Sequence, residues 1–171
     1  EISREGREDV LYISADSNPQ DVKRMFPMAD DAGVELITPD FRDGESMDKI
    51  VSRFDQLLNS GDDLSGVVFF IDTLKKMVDM INKREMKRVL GQMRKLVSRK
   101  ATVILVAHTN KYKGEDGTLV YEGTGDVRAD VDNLLYFYPD KDTETHTLTV
   151  TTAPDKVRGI FHPITFTVDG M

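Results

Sequence analysis

The chain has 171 residues, 39% of them hydrophobic and 31% charged, with a formal net charge of −7. That length and balance suit one soluble domain with a sizeable core and exclude wholesale disorder. The acidic total excludes a uniformly basic nucleic-acid coat. The absence of cysteine excludes a disulfide scaffold, a thiolate metal site and a cysteine nucleophile.

The first strong apolar run, over 10–14, predicts a strand that ends at Ala15 and Asp16. A helix is predicted over 19–32, closed by Gly33, and a weak strand over 34–38. Residues 46–60 place Met47, Ile50, Val51, Phe54, Leu57 and Leu58 on one helical stripe. A second strong strand over 67–71 ends at Asp72 and Thr73. A helix over 85–99 repeats the stripe with Met86, Val89, Leu90, Met93, Leu96 and Val97. A third strong strand over 102–107 ends at His108, Thr109 and Asn110. These runs are continuous rather than alternating, which suits strands buried on both faces of a parallel sheet. The alternation of strand and helix predicts an α/β fold with right-handed crossovers.

The last third changes character. A short helix is expected over 126–132, and strands over 134–138, 145–152 and 163–168. Residues 139–142 and 155–159 read as the intervening turns. Together they suggest an antiparallel extension on the edge of the sheet. No linker divides the chain, so residues 1–171 read as a single domain. No apolar run is long enough to cross a bilayer and no signal peptide is visible, so the expectation is a cytoplasmic protein without a membrane partner.

In an open α/β sheet, ligands bind beyond the carboxyl ends of the strands. Asp16, Asp72 and His108 all stand there. An aspartate at a strand tip can hold hydrated Mg²⁺ through water, because that ion keeps much of its hydration shell. A second carboxylate can orient an attacking water, and a histidine can donate to a phosphate. Each residue also has a plain structural reading: an aspartate after a strand starts turns and caps helices, and a lone histidine is often a satisfied structural group.

Charge is unevenly distributed. Between Lys75 and Lys100 ten Lys and Arg face only Asp79 and Glu85, a segment of +8 in a chain of −7. Such a segment can track a phosphate backbone, although cations on the polar face of an amphipathic helix commonly serve solvation alone. The stretch 111–117 adds Lys111, Tyr112 and Lys113, with an aromatic ring that can stack on a base.

The order of these pieces resembles RecA-like P-loop ATPases. Val67-Val-Phe-Phe-Ile-Asp72-Thr73-Leu74 resembles the Walker B strand. Val10-Leu-Tyr-Ile-Ser-Ala-Asp16 resembles the preceding strand, whose end carries the catalytic carboxylate. Val103-Ile-Leu-Val-Ala-His108-Thr-Asn-Lys111 resembles the strand ending in a γ-phosphate sensor. Lys156-Val157-Arg158-Gly159 resembles the element that reaches a neighbouring subunit's nucleotide in replicative hexameric and plasmid RepA-type helicases.

This resemblance, spanning most of residues 8–169, implies a mostly parallel RecA-like sheet with antiparallel C-terminal strands. It implies an ATPase motor core of a DNA helicase or related replication protein, using ATP and Mg²⁺. Asp72, with Thr73 beside it, would organise Mg²⁺ through water. Asp16 would orient the attacking water, His108 would report the γ-phosphate, and Lys156 and Arg158 would complete a neighbour's site in a homo-oligomer, expected to be a hexamer. Lys83, Arg84 and Lys87 would flank one loop gripping single-stranded DNA, and Lys111, Tyr112 and Lys113 another.

Two departures stand out. The family's catalytic carboxylate is usually glutamate, one methylene longer than Asp16. The phosphate loop G-x-x-x-x-G-K-[ST] is absent, since none of the 12 glycines precedes a lysine. The chain starts at Glu1, just before the strand that the loop precedes in the family. The expectation is therefore a domain truncated at its N-terminus, which alone binds ATP weakly or not at all. Its missing strand would lie between the His108 strand and the 134–138 strand. The alternative is a non-catalytic RecA-like module for DNA binding, oligomerisation or regulation. No G-x-S-x-G elbow or G-x-G-x-x-G turn supports a hydrolase or dinucleotide fold.

Overall fold

The apolar runs pair as a parallel sheet in a computed structural model that describes residues 9–39, 46–112, 114, 117–123 and 125–169. The sheet consists of β1 (Asp9–Ser14), β2 (Val34–Ile37), β3 (Val67–Asp72) and β4 (Thr102–Val106), in the order β2-β1-β3-β4. All its pairings are parallel. Ile13 lies opposite Ile37 and Ile71, Ser14 opposite Asp72, and Asp72 opposite Val106, so three tips end level at one edge.

Capping explains where the helices begin. Asn18 accepts from the backbone N–H groups of Gln20 and Asp21 to start α1 (Pro19–Ala32), with Pro19 in the first turn. Ser46 caps α2 (Met47–Ser60) and Asn82 caps α3 (Lys83–Ser98). Asn82 also donates to Glu85, a variant of the capping box that starts α3 two residues before the predicted helix. At the far end of α3, Ala101 N–H bonds to Leu96 and Lys100 N–H to Val97. That is a Schellman close, with Lys100 rather than glycine in the left-handed position at φ 75°.

The crossover directions place α2 and α3 on one face of the sheet and α1 on the other. Phe54 of α2 meets Phe69 of β3 edge-on at 5.5 Å. Met86, Val89, Leu90, Met93 and Leu96 of α3 are buried as the stripe predicts, whereas Val97, its sixth residue, is 43% exposed. On the opposite face Tyr12 stacks on Phe70 with ring centroids 4.9 Å apart. One expectation changes at β4. It lies at the sheet edge, without a strand on its outer side among the described residues, and Ile104 is 37% exposed. A continuous apolar run therefore does not imply burial on both faces here.

The chain clusters as two compact units, Glu1–Thr124 and Gly125–Met171. The second contains α4 (Asp126–Asp130) and an antiparallel sheet of β5 (Leu134–Asp142), β6 (Thr147–Lys156) and β7 (Thr165–Asp169), in the order β5-β6-β7. These strands form their own sheet rather than extending the first. The turn expected at 139–142 is also displaced. β5 continues through Pro139, which lies on an edge strand where a missing N–H is tolerated. The chain turns instead after Asp142, whose carboxylate accepts from Glu144 and Thr145 N–H. β6 likewise runs on through Asp155 and Lys156, so the expected 155–159 turn begins later. Asp155 is the extra residue between the Leu134–Lys156 and Leu135–Pro154 pairs.

Candidate functional site

The carboxyl edge of the parallel sheet gathers several predicted residues. Asp16, two residues past β1, meets Lys75 Nζ and Lys76 Nζ at 3.1 Å each, one lysine on each carboxylate oxygen. His108 Nε2, two residues past β4, lies 3.7 Å from Asp16 Oδ2. Both lysines belong to a 3₁₀ turn, Leu74–Lys76, anchored by the fully buried Leu74. Hydrogen bonds from Lys76 and then Lys75 hold the Asp16 carboxyl below the usual aspartate range. A depressed carboxyl stabilises the fold above its unfolded-state pKa, and that contribution fades as pH falls through the folded value. The Asp16 side chain is 35% exposed, so solvent screens both pairs to roughly 0–1 kcal/mol each.

Asp72 ends β3, and its Oδ2 accepts a hydrogen bond from Tyr12 Oη at 2.8 Å. Burial, then this bond and the adjacent charge, push the Tyr12 phenol well above its ordinary value, so it remains a donor. Nothing in the sequence pattern singled Tyr12 out. Its side chain shares a sheet face with Asp72 because residues two apart in a strand point the same way and β1 pairs in register with β3. Thr73, expected beside the nucleotide, is 1% exposed and donates to the Val106 carbonyl at 3.0 Å. It ties β3 to β4.

After His108 the chain folds back on itself. Glu122 N–H bonds to the His108 carbonyl, Asn110 N–H to Val120, and Thr109 bridges Tyr121. This return leaves Tyr112 85% exposed. A cleft of about 570 Å³ lies along it, lined by residues that include Lys75, His108, Asn110, Lys111, Tyr112 and Glu122. Lys113 lies outside the described residues.

Several cations of the basic segment are engaged within the fold. Lys75 and Lys76 hold Asp16, Lys100 pairs with Asp63 at 2.7 Å, and Arg99 donates to the Leu58 carbonyl near the end of α2. The Lys100 and Ser65 hydrogen bonds hold the Asp63 carboxyl at about 2. Lys83, Arg84 and Lys87 are exposed on the first turns of α3.

Within the second unit, Lys156 Nζ donates to the carbonyls of Arg128, Ala129 and Val131 at 2.9, 3.1 and 2.7 Å. An ammonium has three donors, so these bonds use its full capacity at the end of α4. Lys156→Met is expected to lower the stability of this unit by roughly 2 kcal/mol, given the usual strength of charge-assisted bonds. A thermal melt followed at the tyrosines of β5 reads the loss. Arg158 pairs with Asp132 at 3.0 Å, and its side chain is 72% exposed. Arg158 is thus presented to solvent while Lys156 is committed within the fold.

No family model matches this chain, and a search of curated proteins returned no match. Among the described residues no helix is long and apolar enough to cross a membrane, and no group of three or more acidic or histidine side chains is arranged as a metal cage.

Proposed function

We propose that this chain is the catalytic part of a RecA-like, Mg²⁺-dependent ATPase that works on single-stranded DNA as a homo-oligomer, with a hexamer the expected form. One observation carries the proposal: level strand tips present Asp72, steered by Tyr12, next to the tip bearing Asp16, itself within 3.7 Å of His108. Asp72 fits hydrated Mg²⁺, because Tyr12 engages one oxygen and leaves lone pairs to accept from metal-bound water. When bound, the metal ion would neutralise phosphate charge. Asp16 orients the attacking water, His108 donates to the terminal phosphate, and the exposed Arg158 offers a guanidinium to a neighbouring subunit. The Lys156 contacts favour Arg158 over Lys156 for that last role.

Among the described residues no strand pairs with the outer edge of β4, where Ile104 is 37% exposed, and that edge suits the additional strand that would accompany a phosphate loop. A protein joining this chain to such a loop is expected to release phosphate from ATP only with Mg²⁺, and faster with single-stranded DNA. DNA binding without Mg²⁺-dependent phosphate release would instead favour the non-catalytic module, which the missing G-x-x-x-x-G-K-[ST] motif supports.

A further inference from the structure

The 3₁₀ turn after β3 faces two ways. Lys75 is bonded to Asp16 at 3.1 Å and also lines the cleft beside Lys111 and Tyr112. We infer that this cleft takes a phosphate of single-stranded nucleic acid, and that Lys75 is shared between that phosphate and Asp16. The inference rests on the proposed function for the role of Asp16, and adds a connection between the two sites.

The chemistry of the cleft favours a nucleic-acid strand over a free anion. Lys75, Lys111 and Asn110 supply donors for phosphate oxygens, and Tyr112, 85% exposed, offers a face on which a base stacks. Glu122 on the wall disfavours a small anion that lacks the stacking contribution. The Lys75–Asp16 pair is easily exchanged, because the two side chains are 37% and 35% exposed. Lys76 reaches the other Asp16 oxygen and is not among the cleft-lining residues. An incoming phosphate thus draws one lysine away while the other stays. Asp16 Oδ2, which then keeps only the longer 3.7 Å approach of His108 Nε2, gains room to accept from water. Lys75 is a positioning residue that acts through Asp16.

The test uses the chain itself, an oligothymidylate of about ten nucleotides, and carbon NMR of the Asp16 carboxyl at neutral pH. Saturation with the oligonucleotide should move the Asp16 signal towards its position in free Lys75→Ala. In Lys75→Ala the oligonucleotide should cause no further movement, bind roughly three- to tenfold more weakly, and show a salt slope lower by about one. In Lys76→Ala the oligonucleotide should still move the signal. Binding that perturbs Tyr112 but leaves Asp16 unmoved overturns the shared lysine, as does an undiminished Asp16 response in Lys75→Ala. An equal response to inorganic phosphate at matched phosphate concentration overturns the nucleic-acid assignment. Failure to bind the oligonucleotide overturns this inference and the DNA part of the proposed function together. Neither result bears on Mg²⁺-dependent ATP hydrolysis, which the phosphate-release assay reads separately.

Discussion

On the proposed function, Asp72→Asn, made in a protein that joins this chain to a phosphate loop, is expected to lower ATP turnover by at least about a hundredfold. The substitution keeps the shape of the side chain and an oxygen that can accept from Tyr12, so the β3 tip should hold its position. It removes the negative charge that would orient metal-bound water. Asp72 is flanked in register by Ser14 and Val106, and the next residue ties β3 to β4 through the Thr73 hydroxyl. Local rearrangement therefore has little room to compensate. Steady-state phosphate release reads the turnover, and a thermal melt on the same sample reads the fold. Lost activity with an unchanged melt isolates the charge. Turnover at the level of the unsubstituted protein would remove Asp72 from the metal role.

The largest expected effect on stability comes from Phe69→Ala, a loss of about 3–5 kcal/mol. Phe69 is 3% exposed, lies on a strand paired on both sides, and meets the edge of Phe54. Its removal deletes a large apolar contact and leaves a cavity between β3 and α2 that the paired neighbours β1 and β4 cannot close. Urea unfolding followed by circular dichroism measures the change. A loss below about 1 kcal/mol would mean that α2 settles into the gap, contrary to the packing described here.

Much of the fold was legible in the chain. The three strong strands, the helical stripes and the positions of Asp16, Asp72 and His108 at strand tips follow from runs of apolar residues and what ends them. Gly33 and Gly61 close α1 and α2 with positive φ, as helix-ending glycines do. Pro139 by itself suggests a turn, because proline favours turns, but an edge strand accommodates it equally well. The apolar residues of β4 suggest burial on both faces, which the structure does not provide. Hydrophobicity records a preference, while burial depends on what else packs there.

The site divides along the same line. In the sequence Lys75 and Lys76 stand out only as members of a basic segment; in the structure both pair with Asp16, whereas Lys83, Arg84 and Lys87 are exposed on the first turns of α3. Lys156 looked equivalent to Arg158, yet one is consumed by three carbonyls and the other faces solvent.

Periodicity and capping act over a few neighbouring residues, so the order of residue types was enough to define the α/β class, the helices and the polar strand tips. The partners of Asp16, the Tyr12–Asp72 bond and the separation of the antiparallel strands into their own sheet arise from pairings between residues far apart along the chain. Strand register and chain crossovers set those distances, and composition does not encode them.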